Sequence, residues 1–204
     1  MLKLLFILSI LVLIFLFFSH QYKKNKNIKS KKPVGICYFD IDGTLTTADG
    51  DRNEMMKVCL DNNFDIGIIT ASPRTLDMIC DGDKSKEPWM SDTLCKRFKE
   101  TGGKLFNSTT SIAGSTNFPT NYPIKHSPGY IKGFDMSFCR DSFYPHIQDK
   151  CLLLFDNDLA YIKGMKEFNP KLEVECAGVE CGGNRLNINT IKNSINKLVK
   201  NGCI

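Results

Sequence analysis

The sequence predicts an α/β domain built on a central parallel sheet, and three observations predict it. Mostly apolar runs of strand length, at residues 34–39, 64–69 and 151–155, read as strands buried on both faces. Segments with helical spacing and capping signals separate them. Each run also ends in polar groups: Asp40 and Asp42 after the first, Thr70 after the second, Asp156 and Asp158 after the third. In an open α/β sheet, ligands bind at the carboxyl ends of the strands.

The elements follow in order. Pro33 closes a polar stretch, and 34–39 forms the first strand. Ala48-Asp49-Gly50-Asp51 carries a hairpin turn signal. Residues 53–62 read as a short helix, with Met56, Val58, Cys59 and Leu60 as its apolar positions. The second strand, 64–69, leads into Thr70-Ala71-Ser72, and Pro73 suits the first turn of a helix reaching about residue 80. Ser91 can cap a helix to residue 100, Gly102-Gly103 ends it, and 104–107 is a third strand. Residues 108–129 form a long loop with three prolines, a length associated with function or motion. A helix is expected at 130–143, the strand at 151–155, a helix to about 168 and a strand at 172–176. Gly182-Gly183 turns the chain, and Ile188, Ile191, Ile195, Leu198 and Val199 make a helical stripe ended by Gly202.

The amino-terminal end differs in kind. Residues 1–18 are almost wholly apolar, with Lys3 as the only charge, and 21–32 carry six lysines and no acid. The apolar stretch approaches the length of a membrane-spanning helix. The bulky Phe17-Phe18 before Ser19 makes a poor cleavage site, which favours an uncleaved anchor over a signal peptide. The chain is therefore divided into 1–19, a transmembrane anchor (or signal sequence), 20–33, a lysine-rich linker, and 34–204, the folded domain. The lysines predict that the domain sits on the cytoplasmic side of a single-pass membrane protein.

Charge points the same way. The net charge is +5, from 27 basic and 22 acidic residues. Seven of the lysines lie in residues 1–32, so residues 33–204 keep twenty basic against 22 acidic residues. The domain is not a basic nucleic-acid binder, and the lysine stripe suits an anionic lipid surface. The nine cysteines are odd in number and lack a C-x-x-C pair, and Cys37, Cys59 and Cys151 lie in apolar runs. Buried free thiols in a reducing compartment are expected. Asn107-Ser108-Thr109, a glycosylation acceptor triplet, argues weakly the other way. The three histidines show no zinc-ligand spacing.

The chemistry centres on Asp40 and Asp42. On an extended strand, residues i and i+2 share a face, so the two carboxylates would converge and gather a hard cation such as Mg²⁺. One carboxylate can attack phosphorus while the other serves as acid and base. Taken singly, Asp42-Gly43 is a common turn dipeptide, Thr70 a turn residue and Asp156 a helix cap. Together, at successive strand ends and with a lysine ahead of the last, they form the set that phosphoryl transfer needs.

Phe39-Asp40-Ile41-Asp42-Gly43-Thr44-Leu45-Thr46 resembles the first motif of the haloacid dehalogenase (HAD) superfamily. Ile68-Ile69-Thr70-Ala71-Ser72 resembles its second motif and Leu154-Phe155-Asp156-Asn157-Asp158 its fourth, in the family's order. The resemblance implies a three-layer Rossmann-like HAD fold with a central parallel sheet, here preceded by the single amino-terminal transmembrane helix. It implies Asp40 as nucleophile, Asp42 as general acid and base, and Thr70 with Ala71 at the phosphoryl group. Mg²⁺ would be held by Asp40, Asp156 and the backbone carbonyl of Asp42. Lys132 is favoured as the third-motif lysine over Lys150. Asn157 and Asp158 stand where the family often has two acids, and Asp158 either reaches the metal through water or caps the next helix.

The presence of Asp42 points to phosphate esters rather than halides. Only 24 residues separate Leu45 from Thr70, too few for a large cap, so the chain resembles the small magnesium-dependent phosphatases. An open site of that kind would admit a macromolecular substrate such as a phosphoprotein. An inactive membrane-tethered scaffold and a phosphotransferase or mutase are the alternatives.

Overall fold

The computed structural model describes residues 32–70, 106–107 and 127–203. The anchor, most of the linker, Ala71, the helices expected at 73–80 and 91–100 and most of the loop at 108–129 lie outside the described residues. Among the described residues no helix is long and apolar enough to cross a membrane. One unit spans Pro33–Ile204, and its described strands and helices are numbered here in chain order.

The strands are β1 (Gly35–Phe39), β2 (Phe64–Ile69), β3 (Phe106–Asn107), β4 (Leu152–Asp156) and β5 (Glu173–Cys176). They form one parallel sheet in the order β3-β2-β1-β4-β5. The helices are α1 (Arg52–Asp61), α2 (Pro128–Phe143), α3 (Leu159–Phe168) and α4 (Ile188–Leu198). Every residue of β1, β2 and β4 is buried. Their side chains alternate between two cores because successive residues of a strand point to opposite faces. Cys37 and Phe39 join Met55, Met56 and Cys59 of α1 and Ile191, Ile195 and Leu198 of α4. Ile36 and Tyr38 join Met136 and Cys139 of α2 and Met165 of α3. Helices thus cover both faces, and burying each Ile or Leu of the α4 stripe is worth about 1.5–3 kcal/mol.

Several boundaries differ from expectation for local reasons. The strand before the two aspartates starts at Gly35, and the carboxyl-terminal strands run over 152–156 and 173–176. Cys151 belongs to a short turn of helix, Asp149–Cys151, that feeds β4. α2 starts at Pro128, two residues early, because the Ser127 hydroxyl accepts from the Tyr130 amide and proline suits the first helical position. The Asp49-Gly50 turn leads to no second strand. Asp51 instead caps α1 by accepting from the Asn53 amide at 2.8 Å.

The cysteine expectation is corrected for four residues. Cys151 pairs with Cys203 and Cys176 with Cys181, with Cα–Cα distances of 5.3 and 5.6 Å. Cys37, Cys59 and Cys139 are free and buried.

Candidate active site

The sheet order creates the site before any side chain is considered. From central β1 the chain reaches β2 on one side, and β4 lies on the other. Such a reversal opens a crevice at the carboxyl ends of the two diverging strands. β1 and β4 line that crevice in register, with Phe39 opposite Phe155. The two rings stack 5.2 Å apart within the core beneath the strand ends. The next residues along each strand are Asp40 and Asp156, and the Asp40 amide donates to the Phe155 carbonyl at 2.9 Å. Parallel pairing therefore brings together two carboxylates 116 positions apart in the chain.

Lys132 joins them. It rises from the second turn of α2 and is 1% exposed. Its ammonium donates to Asp40 Oδ1 at 2.8 Å and to Asp156 Oδ2 at 2.6 Å. The other oxygen of Asp156, Oδ1, accepts the Asp158 amide at 2.9 Å. Lys150 lies elsewhere, half-buried, with its ammonium donating to the Asn201 carbonyl.

One ammonium thus faces two desolvated carboxylates. Burial pushes the Asp40 carboxyl up, Lys132 pulls it down and Asp156 pushes it up again, leaving it at about 6 against an ordinary 3.8. Burial pushes the Lys132 ammonium down, but Asp40 and Asp156 outweigh it and hold its pKa above the usual lysine value. The lysine stays charged at neutral pH, and Asp40 gives up its proton reluctantly without a further cation.

The remaining expected residues divide. Thr70 directly follows β2 at the same edge of the sheet and is buried; Ala71 lies outside the described residues. The expected pleat through Asp42 is not formed. β1 ends at Phe39, Asp40 is buried, and the chain turns over Ile41–Leu45 with Gly43 at φ 78°. Asp42 is exposed as a result. Glycine is required at the turn, because φ is positive and a Cβ there would lie 2.4 Å from Asn157 Nδ2. Asn157 ties the two loops by accepting from the Thr44 hydroxyl at 3.2 Å. Asp158 caps α3, accepting from the amides of Ala160 and Tyr161.

Two features escaped the sequence. Tyr161, in the first turn of α3, lays its ring over the Lys132 ammonium, 4.4 Å from the centroid. No motif marks it; it is simply the third residue after a helix cap. The Cys176–Cys181 loop packs on the site as well: the Ala177 amide donates to the Asp156 carbonyl, and Gly178 sits against Asn157 and the Gly43 carbonyl. The close pair of cysteines beside Gly178 and Gly182-Gly183 was the available signal.

Among the described residues, no group of three or more His, Cys, Asp or Glu side chains could hold a metal ion. Mg²⁺ does not require one, because it is usually held by one or two carboxylates with water and substrate phosphate completing its shell. Asp40 and Asp156, with a single shared ammonium, fit that demand in donor type and in charge. The chain matches no protein-family model, no curated protein and no solved structure.

Proposed function

We propose that this protein is a Mg²⁺-dependent phosphate monoester hydrolase of the HAD kind, working through an aspartyl-phosphate on Asp40. The observation that carries the reading is the buried Asp40–Lys132–Asp156 bridge at the carboxyl ends of β1 and β4. It supports a three-layer Rossmann-like HAD fold as the finer description of the α/β domain.

In this reading Lys132 fixes Oδ1 of Asp40, which leaves Oδ2 as the attacking oxygen. Oδ2 forms a bond to phosphorus as the ester P–O bond breaks, and the Asp42 carboxyl gives its proton to the departing oxygen. Asp42 then takes a proton from water as that water attacks phosphorus, releasing phosphate and restoring Asp40. The exposure of Asp42 suits a group that must exchange protons with incoming water. Asp40, Asp156 and the backbone carbonyl of Asp42 would hold Mg²⁺. When bound, Mg²⁺ would offset the charge on the carboxylates and on the transferring phosphoryl group. Thr70, at the next strand end, is the hydroxyl for a phosphoryl oxygen.

Residues 46–69 are taken up by a turn, α1 and β2, leaving no cap between Leu45 and Thr70. That supports an open entrance on this side and a macromolecular phosphoester as substrate. An anchor in residues 1–19 would confine such substrates to a membrane surface. The two disulfides favour an oxidising compartment, so the cytoplasmic side drawn from the lysines is not carried into the proposal.

The test is Mg²⁺-dependent phosphate release from an aryl phosphate by the full-length protein, beside Asp40→Asn. Activity that needs Mg²⁺ and disappears in the variant supports the reading. A folded wild type that neither releases phosphate nor traps beryllium fluoride, a mimic of the aspartyl-phosphate, refutes it.

A further inference from the structure

The ammonium of Lys132 has three N–H groups, and its two carboxylate partners occupy two of them. The third side of the nitrogen is covered by Tyr161, whose ring centroid lies 4.4 Å away. A cation over an aromatic face is attracted by the ring's quadrupole, most strongly where water is excluded. Water is excluded here, since Lys132 is 1% exposed. The ring itself is only partly buried.

The fold builds this contact deliberately. Tyr161 is held at the start of α3 by Asp158, which accepts its backbone amide at 3.2 Å. Lys132 is held on α2. The two helices approach closely through two glycines: a Cβ on Gly129 would fall 2.1 Å from the Tyr161 carbonyl oxygen, and one on Gly164 would fall 2.3 Å from Ser127 Oγ. Either side chain would push the helices apart and lift the ring from the ammonium. Burial raises the phenol's pKa, so the ring stays neutral at physiological pH and faces the ammonium as a quadrupole rather than as a phenolate.

We propose that Tyr161 is a positioning residue for the reaction: its ring holds the Lys132 ammonium against Asp40 and Asp156, and so orients the nucleophile. The proposal rests on the phosphatase reading for its effect on turnover, while the ring's hold on the ammonium stands on geometry alone. The phenol oxygen has no part in it. Tyr161→Phe should therefore behave as wild type, whereas Tyr161→Leu, similar in apolar character but without a π face, should lose the contact.

The experiment uses the full-length protein in both variants with two readouts. In the first, aryl phosphate turnover by Tyr161→Leu falls about tenfold to thirtyfold in kcat with KM little changed, and Tyr161→Phe restores it. In the second, the side-chain protons of Lys132, observed by NMR of lysine-labelled protein without Mg²⁺ or substrate, lie upfield through the ring current in wild type and Tyr161→Phe. They return to ordinary lysine positions in Tyr161→Leu. A wild-type kcat in Tyr161→Leu, an equal loss in Tyr161→Phe, or Lys132 protons indifferent to the ring would each overturn the proposal. If the wild type neither turns over aryl phosphate nor traps beryllium fluoride, the phosphatase reading fails, and the NMR comparison still decides whether Tyr161 holds the ammonium.

Discussion

Replacing Asp40 by Asn should remove turnover yet stabilise the metal-free protein at neutral pH. The reasoning starts from burial: desolvation leads the rise of the Asp40 carboxyl from 3.8 to about 6, despite the Lys132 ammonium at 2.8 Å. A carboxyl whose pKa rises on folding binds its proton more tightly in the folded state than in the unfolded one. Stability is then greatest below the unfolded value and falls as pH rises from about 4 to about 6. At 1.36 kcal/mol per unit, the full loss is about 3 kcal/mol. Asn resembles the protonated acid in shape and does not titrate, so it escapes that loss. In urea unfolding with EDTA present, Asp40→Asn should match wild type to within about 0.5 kcal/mol at pH 4 and exceed it by about 3 kcal/mol at pH 7.5. The pH-dependent part of the difference is the test, because other titrating groups are common to both proteins. Adding Mg²⁺ should stabilise wild type and leave the variant nearly unmoved, closing the gap. A difference that stays flat or shrinks between pH 4 and pH 7.5 would show that Lys132 fully compensates the carboxylate, and would remove the argument for a missing cation.

Two further perturbations probe the same frame. Lys132→Met leaves two buried carboxylates without their counter-charge and should cost about 3–5 kcal/mol in urea unfolding at pH 7.5. Lys150→Met, at a half-buried site with no carboxylate partner among the described residues, should stay within about 0.5 kcal/mol; equal effects would mean that the ammonium bridge is not formed. For the disulfides, loop-closure entropy predicts a cost of about 4 kcal/mol for Cys203→Ser, whose bond closes a separation of 52 residues. The same reasoning gives about 2 kcal/mol for Cys181→Ser, at a separation of 5. Unfolding of both variants and wild type without reductant measures these, and a wild type equally stable with and without dithiothreitol would contradict the pairing.

How much of this was legible beforehand depends on the range of the interactions. The strand at 64–69 and the helix ending at Phe168 were read at their observed bounds, because apolar continuity and glycine or asparagine breaks are local signals. The parallel sheet followed from alternation of the elements. Boundaries slipped where a cap decided them, as at Ser127, or where a short turn of helix took over a residue expected in a strand, as at Cys151. The first strand was read to end at Phe39, as it does. That Asp40 stays buried while Asp42 turns outward was not legible, because the strand's i, i+2 alternation does not continue into the turn over Ile41–Leu45.

By itself, the sequence determined which polar residues stand at the ends of apolar runs, and so proposed Asp40, Thr70 and Asp156 for one site. It favoured Lys132 over Lys150 without settling the choice, since both precede β4 in the chain. Only the tertiary structure decided between them: α2 packs on α3 so that Lys132 points into the crevice between β1 and β4, while Lys150 stays at the surface beside Asn201. The disulfide partners and the ring of Tyr161 over the ammonium were decided at the same level. The physical reason is common to all three. A strand or a cap is specified by neighbours a few residues away, whereas a buried charge, a sulfur bridge and a cation against a ring are specified by groups that only packing brings into contact.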